Sequence, residues 1–223
     1  MLAAALVLLL VLDRVGAAVA EAALARQLQR TQHLAEQPSV TIRGFPFLTQ
    51  ALRGRYTQID LTAQNLQRQG VHVSTATVHL FGVLVNTGDV LGGRAGTIRV
   101  TRETGTAELS YADLNTLLRH AGGPLGALAT ISAAGPGRIR ITGPAGLTLR
   151  AAVTVSSRGI LITPNPGDLS ALPPFLATPV TAALAAPLPL PSLPLGVRLV
   201  SGTVDSRGVH LRGTANSVTL SNL

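Results

Sequence analysis

Apolar residues follow two different periods along this chain, one typical of a helix and one typical of strands. Residues 1–12 are all apolar, and residues 13–37 place apolar side chains along one side of a helix, with arginine and glutamine on the other. Pro38 is expected to end the helix, because proline cannot donate the backbone hydrogen bond that a helix interior needs. The pattern therefore predicts a helix over residues 13–37 that follows a wholly apolar run.

Beyond Pro38, apolar residues alternate with threonine, arginine and glutamine, which is typical of antiparallel strands with one buried face. The predicted strands are residues 39–43, 56–63, 70–74, 76–80, 97–101, 106–109, 138–142, 147–150, 153–155, 160–162, 197–199, 209–211 and 218–220. Glu103 and Glu108 flank a predicted hairpin among them. This alternation predicts one long meandering antiparallel sheet, and with the N-terminal helix an α+β fold.

Two further segments predict short helices. Ser110 and Asp113 form a start similar to a capping box for a helix over residues 114–119. Residues 168–195 are rich in proline, leucine and alanine, and Asp168 is the one charged residue among them. Such a segment is less polar than an exposed linker, so it is expected to cover an apolar surface, with a short helix around residues 179–186.

Residues 39–56 carry features that the strand pattern does not explain. Half of the four phenylalanines lie within eight of these residues. Gly44 permits a sharp turn and Pro46 restricts the residue before it, so a rigid corner is expected. The corner would bring together two rings, an aliphatic side chain and two cations: Phe45, Phe47, Leu48, Arg53 and Arg55. It could close one end of the core or form the mouth of an apolar ligand cavity, and the sequence pattern leaves both interpretations open.

The composition limits the kind of core and the kind of partner. Aromatic residues make up 3% of the chain and tryptophan is absent, so alanine, valine, leucine and isoleucine must build the core. The formal net charge of +8 favours acidic partners such as anionic lipid, nucleic acid or acidic glycan. The arginines are dispersed along strands without interleaved exposed aromatics, which favours a solvated sheet face or a contact surface for an anionic membrane over a nucleic-acid site.

The sequence contains no recognisable catalytic or metal-binding motif. It has no cysteine, no nucleophile elbow and no phosphate loop. No histidine has a second histidine or a carboxylate at metal-binding spacing; the five are His33, His72, His79, His120 and His210. We expect the histidines on strands to lie on the solvated face or to be hydrogen-bonded within the sheet. The sequence thus predicts a protein that is not an enzyme and uses no cofactor.

The N-terminal residues bear on the location of the protein. The apolar run of residues 1–12 is shorter than the roughly 20 residues that span a bilayer, but it fits the apolar part of a signal peptide. Residues 18–20 (AVA) could serve as a cleavage site. Residues 1–20 are therefore expected to be a signal peptide or a membrane anchor, and residues 21–223 one extracytoplasmic domain. The alternative is a cytoplasmic protein in which the run begins a buried helix.

The remaining candidate function is the binding of an apolar ligand. Burying one methylene is worth about 0.8 kcal/mol, so a carrier must replace roughly 10 kcal/mol to extract a long acyl chain from a membrane. Six strand residues span about 20 Å, close to the length of an extended acyl chain. Small inward side chains would leave room for one, although the same alternation also builds a solid core. A structural or interaction protein of the cell envelope is therefore the alternative to a lipid binder.

Three sequence segments carry a resemblance to a known family. Residues 38–50 (PSVTIRGFPFLTQ), residues 54–56 (GRY) and residues 193–199 (LPLGVRL) resemble the LmeA family of actinobacterial phospholipid-binding proteins. The resemblance implies a membrane-associated protein of the cell envelope or periplasm. It also implies a fold similar to the tubular lipid-binding proteins of the bactericidal/permeability-increasing type, a long curled antiparallel sheet wrapped around an N-terminal helix. The family name points to lipoglycan assembly.

These observations predict non-enzymatic binding of phospholipid, anionic phospholipid in particular, through an apolar cavity, with lipid transport and support of lipoglycan assembly as further steps. The residues expected to line the cavity or its mouth are Phe45, Phe47, Leu48, Phe81, Leu84, Phe175 and Leu176. Those expected near the head group or an anionic membrane are Arg43, Arg53 and Arg55.

Overall fold

Helices and antiparallel strands make up the chain in an α+β arrangement, which confirms the predicted fold class. The computed structural model describes residues 1–68, 71–86, 98–121, 127–156, 159–185 and 198–220. The elements in chain order are α1 (Leu2–Thr31), β1 (Ser39–Arg43), α2 (Phe47–Arg53), β2 (Arg55–Arg68), β3 (Val71–Val85), β4 (Ile98–Ser110), α3 (Tyr111–Ala121), β5 (Thr130–Ala133), β6 (Arg138–Thr142), β7 (Thr148–Ser156), β8 (Gly159–Pro164), α4 (Pro166–Ser170), α5 (Pro174–Ala185), β9 (Arg198–Val204) and β10 (Gly208–Leu220). A 3₁₀ turn over Pro144–Gly146 joins β6 to β7.

The described strands form two antiparallel sheets, whereas the sequence predicted a single one. The first sheet has the order β1-β2-β3-β4-β10-β9, and the second has the order β5-β6-β7-β8. One row of paired residues crosses the first sheet: Ile42, Ile59, Leu80, Glu103 and Ala215. Alternation identifies strands but does not encode which strands pair, and so the division into two sheets could not be predicted from it.

Several predicted strands are parts of longer ones, in which the alternation shifts without ending the pairing. Gly82 has a φ of +60° and Ser217 a φ of +52°, and each lies in a continuous stretch of pairing with β4. Beyond Gly82 the buried positions of β3 change from Leu80 to Val83, that is, from even to odd numbers. The predicted hairpin between Glu103 and Glu108 was therefore wrong: both residues lie within β4.

The first helix differs from its prediction at both ends. α1 begins at Leu2, so it includes the apolar run, and it ends at Thr31 rather than at residue 37. His33, just beyond its end, has a φ of +52°. The segment Ala3–Thr31 is long and apolar enough to cross a membrane, by length and composition. Its residues 3–12 have exposed side chains, while Asp13, Ala17 and Ala25 are buried.

The start of α3 agrees with the sequence pattern. The backbone N–H and the hydroxyl of Ser110 donate to Asp113 Oδ2 at 2.9 and 2.7 Å, and the Asp113 N–H donates to Ser110 Oγ at 3.2 Å. The predicted capping interaction is therefore confirmed. The helix predicted around residues 179–186 corresponds to α5, while α2, α4 and β5 were not predicted. Residues 186–197, which contain the rest of the proline-rich segment and most of the 193–199 motif, lie outside the described residues.

Two apolar clusters fill the interior. The proximal cluster joins α1 and α2 to the first sheet, and its buried members are Ala17, Ala25, Val40, Ile42, Phe47, Ile59, Val78, Leu80, Val83 and Val100. The distal cluster joins the first sheet to the second sheet and α3; its buried members are Val73, Ala76, Ala107, Leu109, Leu114, Leu117, Leu118, Ile131, Ile139, Ile141, Leu149, Ala151, Ile160, Ile162, Leu172, Val204, Val209 and Leu211. As the composition required, nearly all of these are aliphatic.

Candidate functional site

The predicted corner lies against α1, and a buried carboxylate holds it there. Gly44 has a φ of +104°, the Phe45–Pro46 peptide is cis, and α2 begins directly afterwards at Phe47. The backbone N–H of Leu48, in the first turn of α2, donates to Asp13 Oδ1 at 2.8 Å. Asp13 is fully buried. Because the first N–H groups of a helix lack partners within it, this bond fixes α2 to the point on α1 where the exposed apolar part ends.

The side chains of the corner divide into one buried ring and an exposed apolar patch. Phe47 is 6% exposed and belongs to the proximal cluster, with its ring centre 6.3 Å from that of Tyr56. Phe45 is 56% exposed, and Leu48 is also exposed. Leu52, on the next turn of α2, is 83% exposed and was missed by the sequence analysis. Phe47 thus fills the core, as one of the two interpretations expected, while Phe45, Leu48 and Leu52 are exposed and form what we call the corner patch.

Arginines border the corner patch, and they differ in whether an acidic side chain pairs with them. The guanidinium carbon of Arg14 lies 5.1 Å from the centre of the Phe45 ring, within the range of a cation–π contact. Arg53 and Arg55 are exposed, and neither makes an ion pair within the described part of the chain. Arg43 instead donates to Asp60. Two of the three predicted head-group arginines are therefore available beside the patch, and the third is engaged.

Two histidines on strands have a carboxylate partner: Asp60 pairs with His79, and Asp113 pairs with His72. Asp60 Oδ1 lies 2.7 Å from His79 Nδ1. Burial raises the pKa of Asp60, but hydrogen bonds from Arg43, Gln58 and His79 outweigh it, so that the pKa lies below its usual value. Asp113 Oδ1 likewise lies 2.5 Å from His72 Nδ1. These pairs join neighbouring elements within the fold, and among the described residues no group of three histidine, cysteine, aspartate or glutamate side chains could hold a metal ion.

The other predicted lining residues lie in three places. Leu84 is the pairing partner of Arg55 and lies beside the end of α2, where the Val85 N–H donates to the Gly54 carbonyl at 2.8 Å. Phe81 is half-buried, with the Arg102 guanidinium carbon 4.7 Å from its ring centre. Phe175 and Leu176 lie on α5, which packs against β8 of the second sheet. The structure thus brings Phe45, Phe47, Leu48 and Leu84 to one end of the molecule and places the other three elsewhere.

Among the described residues, one buried carboxyl group has no partner at either of its oxygens. Glu103, on β4, is 0% exposed, and neither of its carboxylate oxygens has a hydrogen-bond partner. Burial raises its pKa to about 7. A glutamate in an alternating strand resembles any solvated strand residue, and only the shift of alternation at Thr101 turns its side chain inward.

A groove on the first sheet has a different character. It has a volume of about 560 Å³ and is lined mainly by hydroxyl-bearing and charged side chains of β3, β4, β9 and β10, including Thr77, Thr106, Glu108, His210 and Arg212. Its polar lining is unsuited to an acyl chain, because such a chain gains its binding energy from apolar burial.

Comparison with known proteins gives one match. A family model described as LmeA-like phospholipid-binding matches residues 11–214, nearly the whole chain. The matched region begins in the exposed part of α1 and includes the corner, both sheets and most of β10. No curated protein and no solved structure gives a significant match.

Proposed function

The chain belongs to the LmeA-like phospholipid-binding family, and from this premise we propose that it binds phospholipid without catalysis at the surface of a membrane in the cell envelope. The observation that carries the proposal is the position of the corner patch at the base of the exposed apolar part of α1. Transfer of the bound lipid and a contribution to lipoglycan assembly are further parts of the proposal, and they rest on the family resemblance.

The geometry of α1 supports approach to a membrane. Residues 3–12 extend about 15 Å at 1.5 Å per residue, roughly half of a 30 Å hydrocarbon layer. Asp13, which binds the corner, follows directly. If residues 3–12 enter the bilayer, the corner patch lies at the level of the head groups, where an exposed aromatic ring and aliphatic side chains are stabilised.

The cations beside the patch support an anionic surface as the partner. Arg14, Arg53 and Arg55 are exposed and lie around the patch. Basic side chains near an anionic leaflet contribute about 1 kcal/mol each. This arrangement favours a membrane over nucleic acid, because the cations accompany aliphatic groups rather than a row of stacking aromatics.

The contacts of α1 favour an anchor over a cleaved signal peptide. Asp13 and Ala17 are buried, and an added methyl group at Gly16 would lie 3.5 Å from both Phe47 and Leu48. Cleavage after Ala20 would remove these contacts and expose the Phe47 ring. We therefore propose that α1 remains attached and that the lipid-binding domain begins within it, on the extracytoplasmic side.

The residues that we propose to contact the membrane and the entering lipid are Phe45, Leu48 and Leu84, together with Leu52. Phe47 supports them from the core. Phe81, Phe175 and Leu176 stay predictions as cavity-lining residues, because no contact among the described residues joins them to the corner.

Native mass spectrometry of the full chain, released from mild detergent and combined with lipid extraction, tests the proposal. We expect phospholipid to co-purify at a fixed stoichiometry and to exchange with lipid from anionic vesicles. A protein that is empty and takes up no lipid from such vesicles would contradict the proposal and favour a structural protein of the envelope.

A further inference from the structure

Glu103 occupies an unusual place between the two apolar clusters. Its pairing partners are Leu80 on β3, which belongs to the proximal cluster, and Ala215 on β10. Four residues further along β4, Ala107 belongs to the distal cluster. The carboxyl group is thus on the inward face of the first sheet, where one cluster ends and the other begins.

On one side of Glu103, this face carries only small residues of β4 and β10. Gly105 is paired with Gly213, directly next to the pair of Glu103 and Ala215. Gly105, Gly213 and Ala107 are all buried. A strip of three small residues therefore adjoins the carboxyl group on this face.

The usual structural reasons for a buried carboxyl group are missing here. Neither oxygen accepts a hydrogen bond, and no arginine or histidine forms an ion pair with Glu103 in the part of the chain that the structure describes. Burial alone raises its pKa. A buried polar group without a partner destabilises a protein, so its presence indicates a partner that comes from outside the chain.

We propose that Glu103 is the polar contact of the bound lipid, accepting a hydrogen bond from a hydroxyl or ammonium group that enters along the strip between the two clusters. The inference rests on the proposed lipid-binding function and adds the group that is recognised. A carboxyl oxygen requires a donor, and both ethanolamine and glycerol head groups carry one, whereas a choline head group carries no N–H or O–H.

The position of Glu103 separates this contact from the membrane-facing cations. β4 is the third strand from β1, so Glu103 lies roughly 14 Å across the sheet from Ile42, at about 4.8 Å per strand. Arg53 and Arg55 lie near the β1 edge, in and after α2. The arginines can therefore contact an anionic surface while Glu103 contacts the cargo.

The test compares wild type, Glu103→Leu, Glu103→Gln and the matched control Glu108→Gln, each as the full chain. Glu108 lies on the same strand but on its polar side, 3.8 Å from His210. Each protein is incubated with vesicles of phosphatidylcholine alone or mixed equally with phosphatidylethanolamine or phosphatidylglycerol, and bound lipid is identified by native mass spectrometry. Preference for phosphatidylethanolamine alone would identify an ammonium group, and preference for both donor-bearing lipids would include a hydroxyl.

Wild type and Glu108→Gln should prefer a donor-bearing lipid over phosphatidylcholine by roughly tenfold, the size expected for one hydrogen bond to a carboxyl group. Glu103→Leu should bind phosphatidylcholine as wild type does but lose the preference. An unchanged preference in Glu103→Leu would overturn the inference while leaving lipid binding intact. If wild type bound no lipid at all, the proposed function would fail, and this inference with it.

Thermal unfolding of lipid-free protein tests the inference independently of lipid binding. Glu103→Leu should have a higher Tm than wild type, because it removes a buried unpaired carboxyl group. A lower Tm for both Glu103→Leu and Glu103→Gln would show that the carboxyl group stabilises the empty fold, and would overturn its assignment to the ligand. Glu103→Gln has nearly the shape of glutamate, so it gives this result even if the leucine variant does not fold.

Discussion

At the scale of single residues, burial separates side chains that look equivalent in the sequence. Phe45 and Phe47 lie two positions apart in the same motif, yet one is mainly exposed and the other is a member of the proximal cluster. Glu103 and Glu108 also lie on one strand, yet only Glu103 is without a partner in the interior. These differences determine how each residue should respond to substitution.

Phe47→Ala should therefore lower stability, whereas Phe45→Ala should weaken vesicle binding. Loss of the buried Phe47 ring should lower the free energy of unfolding by about 3–5 kcal/mol. Loss of the exposed Phe45 ring should change it by less than about 0.5 kcal/mol and weaken vesicle binding. Chemical denaturation and vesicle co-sedimentation measure the two effects. Leu128→Ala, at another exposed position, is the control for vesicle binding, and an equal loss there would argue against a specific patch.

Glu103 should also give stability a distinctive pH dependence. Its pKa is raised from 4.5 to about 7 in the folded protein, so between these values the native state holds a proton that the unfolded chain has released. Stability should then fall as pH rises from about 5 to 7, by at most about 1.4 kcal/mol per pH unit. Urea denaturation at several pH values should show a flatter profile for Glu103→Leu than for wild type.

Other carboxylates should not obscure this effect. The pKa values of Asp60 and Asp113 are lowered, so the stability that these residues contribute is present above their unfolded pKa and is lost only as pH falls through their lower folded values. Their titration lies below the window in which Glu103 changes charge. Parallel pH profiles for wild type and Glu103→Leu would contradict the burial of an unpaired carboxyl group.

At the scale of elements, α1 has two different environments within one continuous helix. Its exposed residues 3–12 are available to a membrane, while its later part packs against α2 and β1. Asp13 marks the change, because its carboxylate accepts the Leu48 N–H. We therefore propose a boundary between anchor and domain near residue 13 rather than at residue 20.

Two truncations distinguish these boundaries. Removal of residues 1–12 should leave the Tm nearly unchanged, since it removes only exposed side chains. Removal of residues 1–20 should reduce stability by roughly 1–3 kcal/mol through the loss of the Asp13 hydrogen bond alone, with further loss from the exposed Phe47. Circular dichroism melts of both proteins in detergent provide the comparison. Equal Tm values would favour a cleaved signal peptide.

At the scale of the whole molecule, the corner patch and the second sheet lie in different parts of the fold. The corner patch and its arginines lie at the β1 edge of the first sheet, and the second sheet with α5 joins the distal cluster. A protein attached through α1 would present the corner to the membrane. Its interaction with anionic lipid should then depend on where a basic residue lies, rather than on total charge.

Substitution of both Arg53 and Arg55 by glutamine should test this directly. At about 1 kcal/mol per arginine, affinity for anionic vesicles at low salt should fall roughly thirtyfold, and the salt dependence should become weaker. The control changes Arg138 and Arg140, exposed arginines of β6, in the same way. Equal losses in the two double variants would indicate a general effect of charge and contradict a defined membrane-facing end.

The sequence by itself determined the local features of this protein, because each depends on neighbours in the chain. Alternation identified most of the strands, although not β5; Ser110 and Asp113 identified the start of α3, and residues 38–56 identified the family. The tertiary structure decided what depends on distant neighbours: the division into two sheets, the attachment of α2 to Asp13, and the exposure of Leu52. It also decided the burial of Glu103, because β4 changes its inward face between Val100 and Glu103, where Thr101 and Arg102 are both exposed.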